Sequence, residues 1–354
     1  MGLLESTLAS IAPQDQRARA LAKARLDQLT MPHWALGRLM DLAMDLAGMT
    51  GSVAPRVSRK AIVIMVGDHG VTAEGVSEYP AEVTPQMVAN FVAGGAGINA
   101  LARLNGARVV VVDMGVSGDL SALARAGKII DKRVAPGTAN IAAGPAMTRQ
   151  HAVQALEAGI AVVNDSAEEV DVFGTGEMGI GNTTPGAAIV AALTGAPAAE
   201  VTGCGTGITE EQRRHKADVV ERALCVNRPD PRDGVDVLAK VGGFEIGGIA
   251  GLVLGAAARR RPVVVDGFTA TAGAMIAHAL CPTVAAYLVA AHRSVEPGHV
   301  HMQKYLGTEP LLDLRLRLGE GTGAALAMNL VEAAARVLTE VATFDEASVS
   351  RATA

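Results

Sequence analysis

The sequence predicts an α/β fold, a parallel sheet flanked by helices, with a small helical domain built from both chain ends. Three observations predict it. Short, nearly continuous apolar runs (Ala61–Val66, Arg108–Val112, Val170–Phe173, Pro262–Val265 and Thr283–Val289) alternate with stretches of helical spacing. Strands that are apolar on both faces belong to parallel sheets covered on both sides. Glycine and polar residues follow each run, at the carboxyl ends of the expected strands, where open α/β sheets bind ligands. The first 50 or so residues and those beyond Thr322 are helical in pattern, so residues 1–55 and 322–354 are expected to form the small domain and 56–321 the large one.

Composition narrows the functional classes. The 354 residues are 49% hydrophobic but only 3% aromatic, with 40 glycines, so the core is expected to be close-packed Ala, Val, Leu and Ile. A net charge of -5, with no basic aromatic-rich stripe, argues against nucleic acid. Cys204, Cys225 and Cys281 are odd in number and scattered, as suits reduced thiols in a cytoplasm. Neither CxxC nor HExxH occurs, so no metal is expected. The opening residues MGLLESTLASIAPQDQ lack a basic leader, and the most apolar helix candidate, Ile246–Ala258, is too short to span a bilayer. A soluble cytoplasmic protein is expected.

Taken in order, the amino-terminal region carries apolar residues at helical spacing (Leu36, Leu39, Ala43, Leu46), with the single tryptophan, Trp34, as a packing anchor. The first strand gives way to Gly67-Asp68-His69-Gly70, where Asp68 and His69 read as an acid–base pair or as turn capping. The stretch Ser77-Glu78-Tyr79-Pro80, with Gln86 beyond it, is loop-like; its tyrosine fits an aromatic ligand and ordinary loop packing equally well. Val109–Gly118 resembles a diphosphate-sugar loop, but Met114 replaces its second acid and the spacing to Ser117 is short. No P-loop occurs.

The third run leads into Gly174–Thr184, GTGEMGIGNTT, read as a glycine-rich turn before a helix with a threonine cap and Pro185 just inside its start. Such a turn cradles anions, and Glu177 is electrically out of place beside a phosphate, which points to chemistry nearby. Gly174, Gly176 and Gly179 match G-x-G-x-x-G. That pattern alone is weak, and the following short strand, Glu200-Val-Thr, carries its acid at the wrong end to hold a ribose. A phosphate or sugar loop is the preferred reading, and an NAD-dependent dehydrogenase using the Gly174 loop is the alternative.

Further along, Gly203–Gly207 forms a second glycine turn. Lys216 lies on a helix that reads as solvated, so a surface lysine is the default. Gly242–Ile246 reads as a second anion-facing helix start or as tight packing. Asp266 suits ribose hydroxyls or turn capping, and Val289 leads to His292-Arg-Ser294. Glu320 sits in Gly319-Glu-Gly-Thr-Gly323, before a helix read as capped by Thr322. Glycine on both sides admits a ligand closely, and a desolvated glutamate there suits a general base.

These segments, in this order, resemble the nicotinate-nucleotide–dimethylbenzimidazole phosphoribosyltransferase family of cobalamin biosynthesis. The residues that carry the resemblance are Gly67–Arg103, GTGEMGIGNTT, GCGTG, KVGGFEIGGIAG, PVVVDGFTATAGA, Ala290–His299 and Pro310–Ala327. The chain departs at Met31 and Trp34, where that family usually shows Lys and Gly. The resemblance implies a Rossmann-like sheet, a homodimer whose neighbouring small domain closes the site, and no cofactor. It implies transfer of phosphoribose from nicotinate mononucleotide to 5,6-dimethylbenzimidazole or a related base. It further implies Glu320 as the base, assisted by Glu177 and Lys216. The nucleotide would be held by Gly176, Gly179, Gly181, Asn182, Thr183, Gly203, Gly205, Asp266 and Ser294. The benzimidazole would be lined by Glu78, Tyr79, Gln86, Met178 and Leu318.

Overall fold

A computed structural model describes residues 2–205 and 207–351. Its six strands are β1 (Lys60–Gly67), β2 (Arg108–Gly115), β3 (Ile130–Asp131), β4 (Val172–Met178), β5 (Val263–Val265) and β6 (Leu288–Ala290). They form one sheet in the order β3-β2-β1-β4-β5-β6, and every neighbouring pair is parallel. This is the Rossmann order. The direction of winding reverses between β1 and β4, so a crevice is expected beyond their carboxyl ends.

The helices begin with α1 (Leu3–Ser10), α2 (Gln16–Leu26) and α3 (Arg38–Thr50), ahead of the sheet. Next come α4 (Val83–Ala93), α5 (Gly97–Asn105), α6 (Ser121–Arg125), α7 (Arg149–Ser166), α8 (Thr183–Thr194) and α9 (Ala198–Val201). The remainder are α10 (Glu210–Asn227), α11 (Gly234–Val241), α12 (Phe244–Ala258), α13 (Phe268–Leu280), α14 (Gly298–Leu306), α15 (Thr322–Glu340) and α16 (Phe344–Ala347). Helices α7 and α12 pack on each other, α12 also reaches β1, β2 and β4, and α15 packs on β1, β4 and β5. The returning chain end, α15, also packs against α2 and α3, and Leu29 bridges to Thr343. Leu46, Ala43, Met328 and Val331 from the two ends are fully buried in the core that includes Ile62 and Phe173.

Several sequence expectations need correction. Gly174–Met178 is not a turn but the body of β4. Alternate residues of a strand share a face, and Gly174 and Gly176 are on the face covered by α15. A Cβ at Gly174 would lie 2.8 Å from Met328 Cε, and one at Gly176 would lie 2.6 Å from the Glu320 carbonyl oxygen. These two glycines therefore let a helix and its preceding loop lie directly on the strand. The G-x-G-x-x-G match is spent on packing, and the dehydrogenase reading loses its motif.

The α8 N-cap is Asn182, with Thr183 as the first helical residue. Likewise Gly321, not Thr322, caps α15. Glu200-Val-Thr is not a strand: Glu200 and Val201 lie in the short helix α9. Thr283–Tyr287 belongs to a 3-10 turn, leaving only Leu288–Ala290 as β6. The short edge strand β3 carries no apolar run, which is why the sequence does not signal it. Gly242–Ile246 is tight packing. Glu245 is fully buried in the first turn of α12 and meets His69 Nε2 at 2.8 Å. Among the described residues no helix is long and apolar enough to cross a membrane, and Cys204, Cys225 and Cys281 are free.

Candidate active site

A cavity open to solvent lies beyond the carboxyl ends of β4, β5 and β6. Its walls come from the β4–α8 turn, the start of α13, the Ser294–Glu296 loop and the Arg317–Gly319 segment. Of the residues expected from sequence, Glu177, Met178, Gly179, Gly181, Asn182, Thr183, Gly205, Ser294 and Leu318 line it.

Two helix starts meet there. Asn182 and Thr183 of α8 and Gly267, Phe268 and Thr269 of α13 all face the cavity. The first-turn N–H groups of a helix lack intrahelical partners, and their dipole favours anions. Behind α8 lies Lys216, which is not the surface lysine that its helix suggests. It is 1% exposed, and its Nζ donates to Thr183 Oγ1 at 2.6 Å. Burial lowers its pKa to about 8, opposed by the charge of Glu296. The α10 sequence hides this because a single lysine on a polar helix face looks solvated; the partner 33 residues away in sequence supplies the reason for its burial.

The acidic end is built differently. Glu177, next to last in β4, lies on the cavity wall, and Asn182 Nδ2 donates to its carboxylate. Burial, and then the charges of Asp266, Glu245 and Glu320, raise its pKa to about 8 against that hydrogen bond. Glu320 lies just behind the wall formed by Leu318 and Gly319 and is 6% exposed. Its carboxylate makes no salt bridge among the described residues; instead Oε2 accepts the N–H of Ile98, in the first turn of α5, at 3.0 Å. Burial raises its pKa, the Ile98 N–H opposes that, and the Asp266 charge adds to the rise. Leu318 and the Glu320 carboxylate meet over Gly97, where an added Cβ would lie 2.9 Å from Leu318 Cδ2 and 3.3 Å from Glu320 Oε2. The backbone here is left-handed throughout, with φ of 82° at Gly319, 61° at Glu320 and 92° at Gly321. A non-glycine residue in that region is strained, and such strain gathers at functional sites.

Other expected residues stand elsewhere. Gly176 sits beneath the Glu320 loop rather than on the cavity wall. Gly203 lines a shallower neighbouring pocket with Cys204, Arg213 and Pro297, which shares Gly205, Glu296 and Arg317 with the main cavity. Asp266 is 1% exposed, and both its oxygens accept backbone N–H groups, so it does not face a ribose. Asp68 and His69 do not pair with each other: Asp68 Oδ2 accepts the Ser117 N–H at 2.7 Å, and His69 turns to Glu245. Glu78, Tyr79 and Gln86 are exposed and lie off the cavity wall, whereas their neighbours Val76 and Ser77 are on it.

Sequence reading missed His292, Glu296, Phe268 and Arg317 as wall residues. The pattern of polar residues after each strand pointed toward His292, but not as far as Glu296. Arg317 carries no such signal, because it comes from an irregular segment.

The family described as Phosphoribosyltransferase matches residues 11–349 of this chain. A protein of Syntrophotalea carbinolica named nicotinate-nucleotide–dimethylbenzimidazole phosphoribosyltransferase is 64% identical, over 99% of each chain. A protein of the same name from Desulfotalea psychrophila is 58% identical over the same shares. The crystal structure of CobT from Thermus thermophilus superimposes with a TM-score of 0.91 at 48% identity, covering 95% of this chain and all of that one.

Proposed function

Because the chain belongs to the nicotinate-nucleotide–dimethylbenzimidazole phosphoribosyltransferase family and is a phosphoribosyltransferase, we propose that its cavity moves phosphoribose from nicotinate mononucleotide to 5,6-dimethylbenzimidazole by direct displacement. One benzimidazole nitrogen forms a bond to the anomeric carbon as the bond to the pyridinium nitrogen breaks. The bonding pair leaves with nicotinate, whose ring becomes neutral and needs no acid. The other benzimidazole nitrogen gives its proton to the Glu320 carboxylate. Attack from the face opposite nicotinate turns the β-nucleotide into α-ribazole 5'-phosphate.

The observation that carries this reading is the placement of Glu320. It is a buried carboxylate with no cation paired to it among the described residues, held by one N–H and a left-handed backbone beside the cavity. Two helix starts backed by Lys216 supply a phosphate end within the same space. Glu177, with a pKa of about 8, holds a proton at neutral pH; burial raises Glu320 as well, which suits a carboxylate that has to accept a proton. Leu318 and Met178 form the apolar rim for the heterocycle. General-base help is worth ~10²–10⁴-fold, and alignment of the two substrates contributes the rest.

The same reading includes a homodimer in the cytoplasm. In it, a neighbour's helical ends, residues 1–55 and 322–354, form a small domain that closes the open side of the cavity over Glu78, Tyr79 and Gln86. Sedimentation equilibrium checks the dimer, and a monomer at micromolar concentration would refute it.

The deciding assay supplies nicotinate mononucleotide and 5,6-dimethylbenzimidazole, with chelator present, to the parent and to Glu320→Gln. The parent should turn over. The variant should lose ~10²–10⁴-fold in kcat while binding the nucleotide with unchanged affinity by calorimetry. Full activity in the variant would reject Glu320 as the base.

A further inference from the structure

The sheet places Asp266 at the carboxyl end of β5, where its N–H donates to Thr175 Oγ1 of β4 at 3.0 Å. Its side chain does not turn to the cavity. Oδ2 accepts the N–H of Gly321 at 3.1 Å, and Oδ1 accepts the N–H of Ala324 at 3.0 Å. The N-cap position of α15 is Gly321, a residue with no side chain to cap the helix. A carboxylate 55 and 58 residues away in sequence therefore takes the place of an N-cap side chain. Beside it stands His292, with Nε2 3.6 Å from Oδ1. Only glycine fits at Gly323, since a Cβ there would overlap the His292 ring.

Glu320 is the residue immediately before that cap. Its carboxylate is pinned by the start of α5, through Ile98, and its backbone by the start of α15, through Asp266. We propose that Asp266 is a positioning residue for Glu320, fixing the left-handed Gly319–Gly321 turn from across the sheet and setting a negative charge beside the base. This rests on the reading of Glu320 as that base.

Burial draws the Asp266 pKa upward, opposed by His292 and by the N–H groups of Ala324, Gly321 and Gly323. With both oxygens accepting N–H groups at a helix start, the ionised form is the one that fits. Its charge raises both Glu320 and Glu177. The other groups facing this pair are Glu245 near Glu177, Asn182 on Glu177, and the Ile98 N–H on Glu320. Removal of Asp266's charge therefore moves Glu320 and Glu177 in the same direction, downward.

The test is Asp266→Asn, with Asp266→Ser as a second variant. Asn and Ser both cap helices but carry no charge. Activity with nicotinate mononucleotide and 5,6-dimethylbenzimidazole is followed across the neutral range and one to two units to either side. The expected result is a kcat lowered ~10-fold, an unchanged KM for the nucleotide, and an acidic limb displaced by about one unit to lower pH, because loss of a like charge makes the base more acidic. An unmoved limb, a raised nucleotide KM with unchanged kcat, or failure of both variants to fold would each overturn the proposal. Lack of turnover by the parent would instead overturn the reading of the site.

Discussion

The two sides of the cavity are built to opposite specifications. On the side of β4, α13 and the Glu320 loop, nearly every polar side chain is buried and engaged: Asp266 by two backbone N–H groups, Glu320 by Ile98, and Lys216 by Thr183. On the side of α4, Glu78, Tyr79 and Gln86 stand in solvent, and Tyr79 is 53% exposed. The first side is rigid and preorganised, as electrostatic catalysis requires. The second presents exposed side chains that no contact among the described residues fixes in the same way. The difference is one of burial: the first side fixes its charges within the fold, and the second leaves its side chains to solvent.

Substitutions on the two sides test the contrast, and the largest loss is the one expected for Glu320→Gln. The next largest effect belongs to Gly176→Ala. Its new Cβ would fall 2.6 Å from the Glu320 carbonyl oxygen, pushing the loop off the strand. We expect a ~10–100-fold fall in kcat, together with ~1–3 kcal/mol of lost stability by denaturant unfolding, the usual range for overpacking. A variant with parent kcat would show that the preorganised side tolerates displacement.

Glu177→Gln addresses charge without displacement. In the fold Glu177 keeps its proton up to about 8, against 4.5 for a glutamate in the unfolded chain. The folded protein therefore binds the extra proton between these values, and stability is lost as pH rises through that window. Glutamine removes this loss, so Tm should exceed that of the parent by a few degrees at a pH above the folded value and differ little at a pH near the unfolded one. Equal Tm differences at both ends would mean that Glu177 titrates normally.

The smallest effect is expected on the open side. Tyr79→Ala should leave Tm and nucleotide affinity unchanged, and raise the KM for 5,6-dimethylbenzimidazole by less than ~10-fold, since it removes one exposed aromatic contact. A change in Tm would show that the open side is structurally engaged after all.

Much of this protein was legible before any coordinates. Apolar runs at Ala61–Val66 and Arg108–Val112 marked β1 and β2, and the helical pattern from Thr322 to about Glu340 matched α15. Polar residues after each strand located the cavity, and the glycine frame drew attention to Glu320. These are local signals, because burial on both strand faces and helical periodicity leave a direct imprint on neighbouring residues. The purpose of the glycines in β4 was not local. Gly174 and Gly176 read as a turn because nothing nearby in sequence reveals that α15, which begins only at Thr322, lies on that face.

The chain's local patterns therefore fixed the class of fold and the sheet edge that carries the cavity, and they singled out Glu320 as a candidate carboxylate. Only tertiary structure decided the surroundings of each charge: Lys216 buried against Thr183 rather than solvated, and Asp266 turned to the start of α15 rather than to a sugar. The physical reason is that a side chain's ionisation and its hydrogen-bond partner depend on groups brought within about 3–6 Å by the fold, and those groups come from distant parts of the chain.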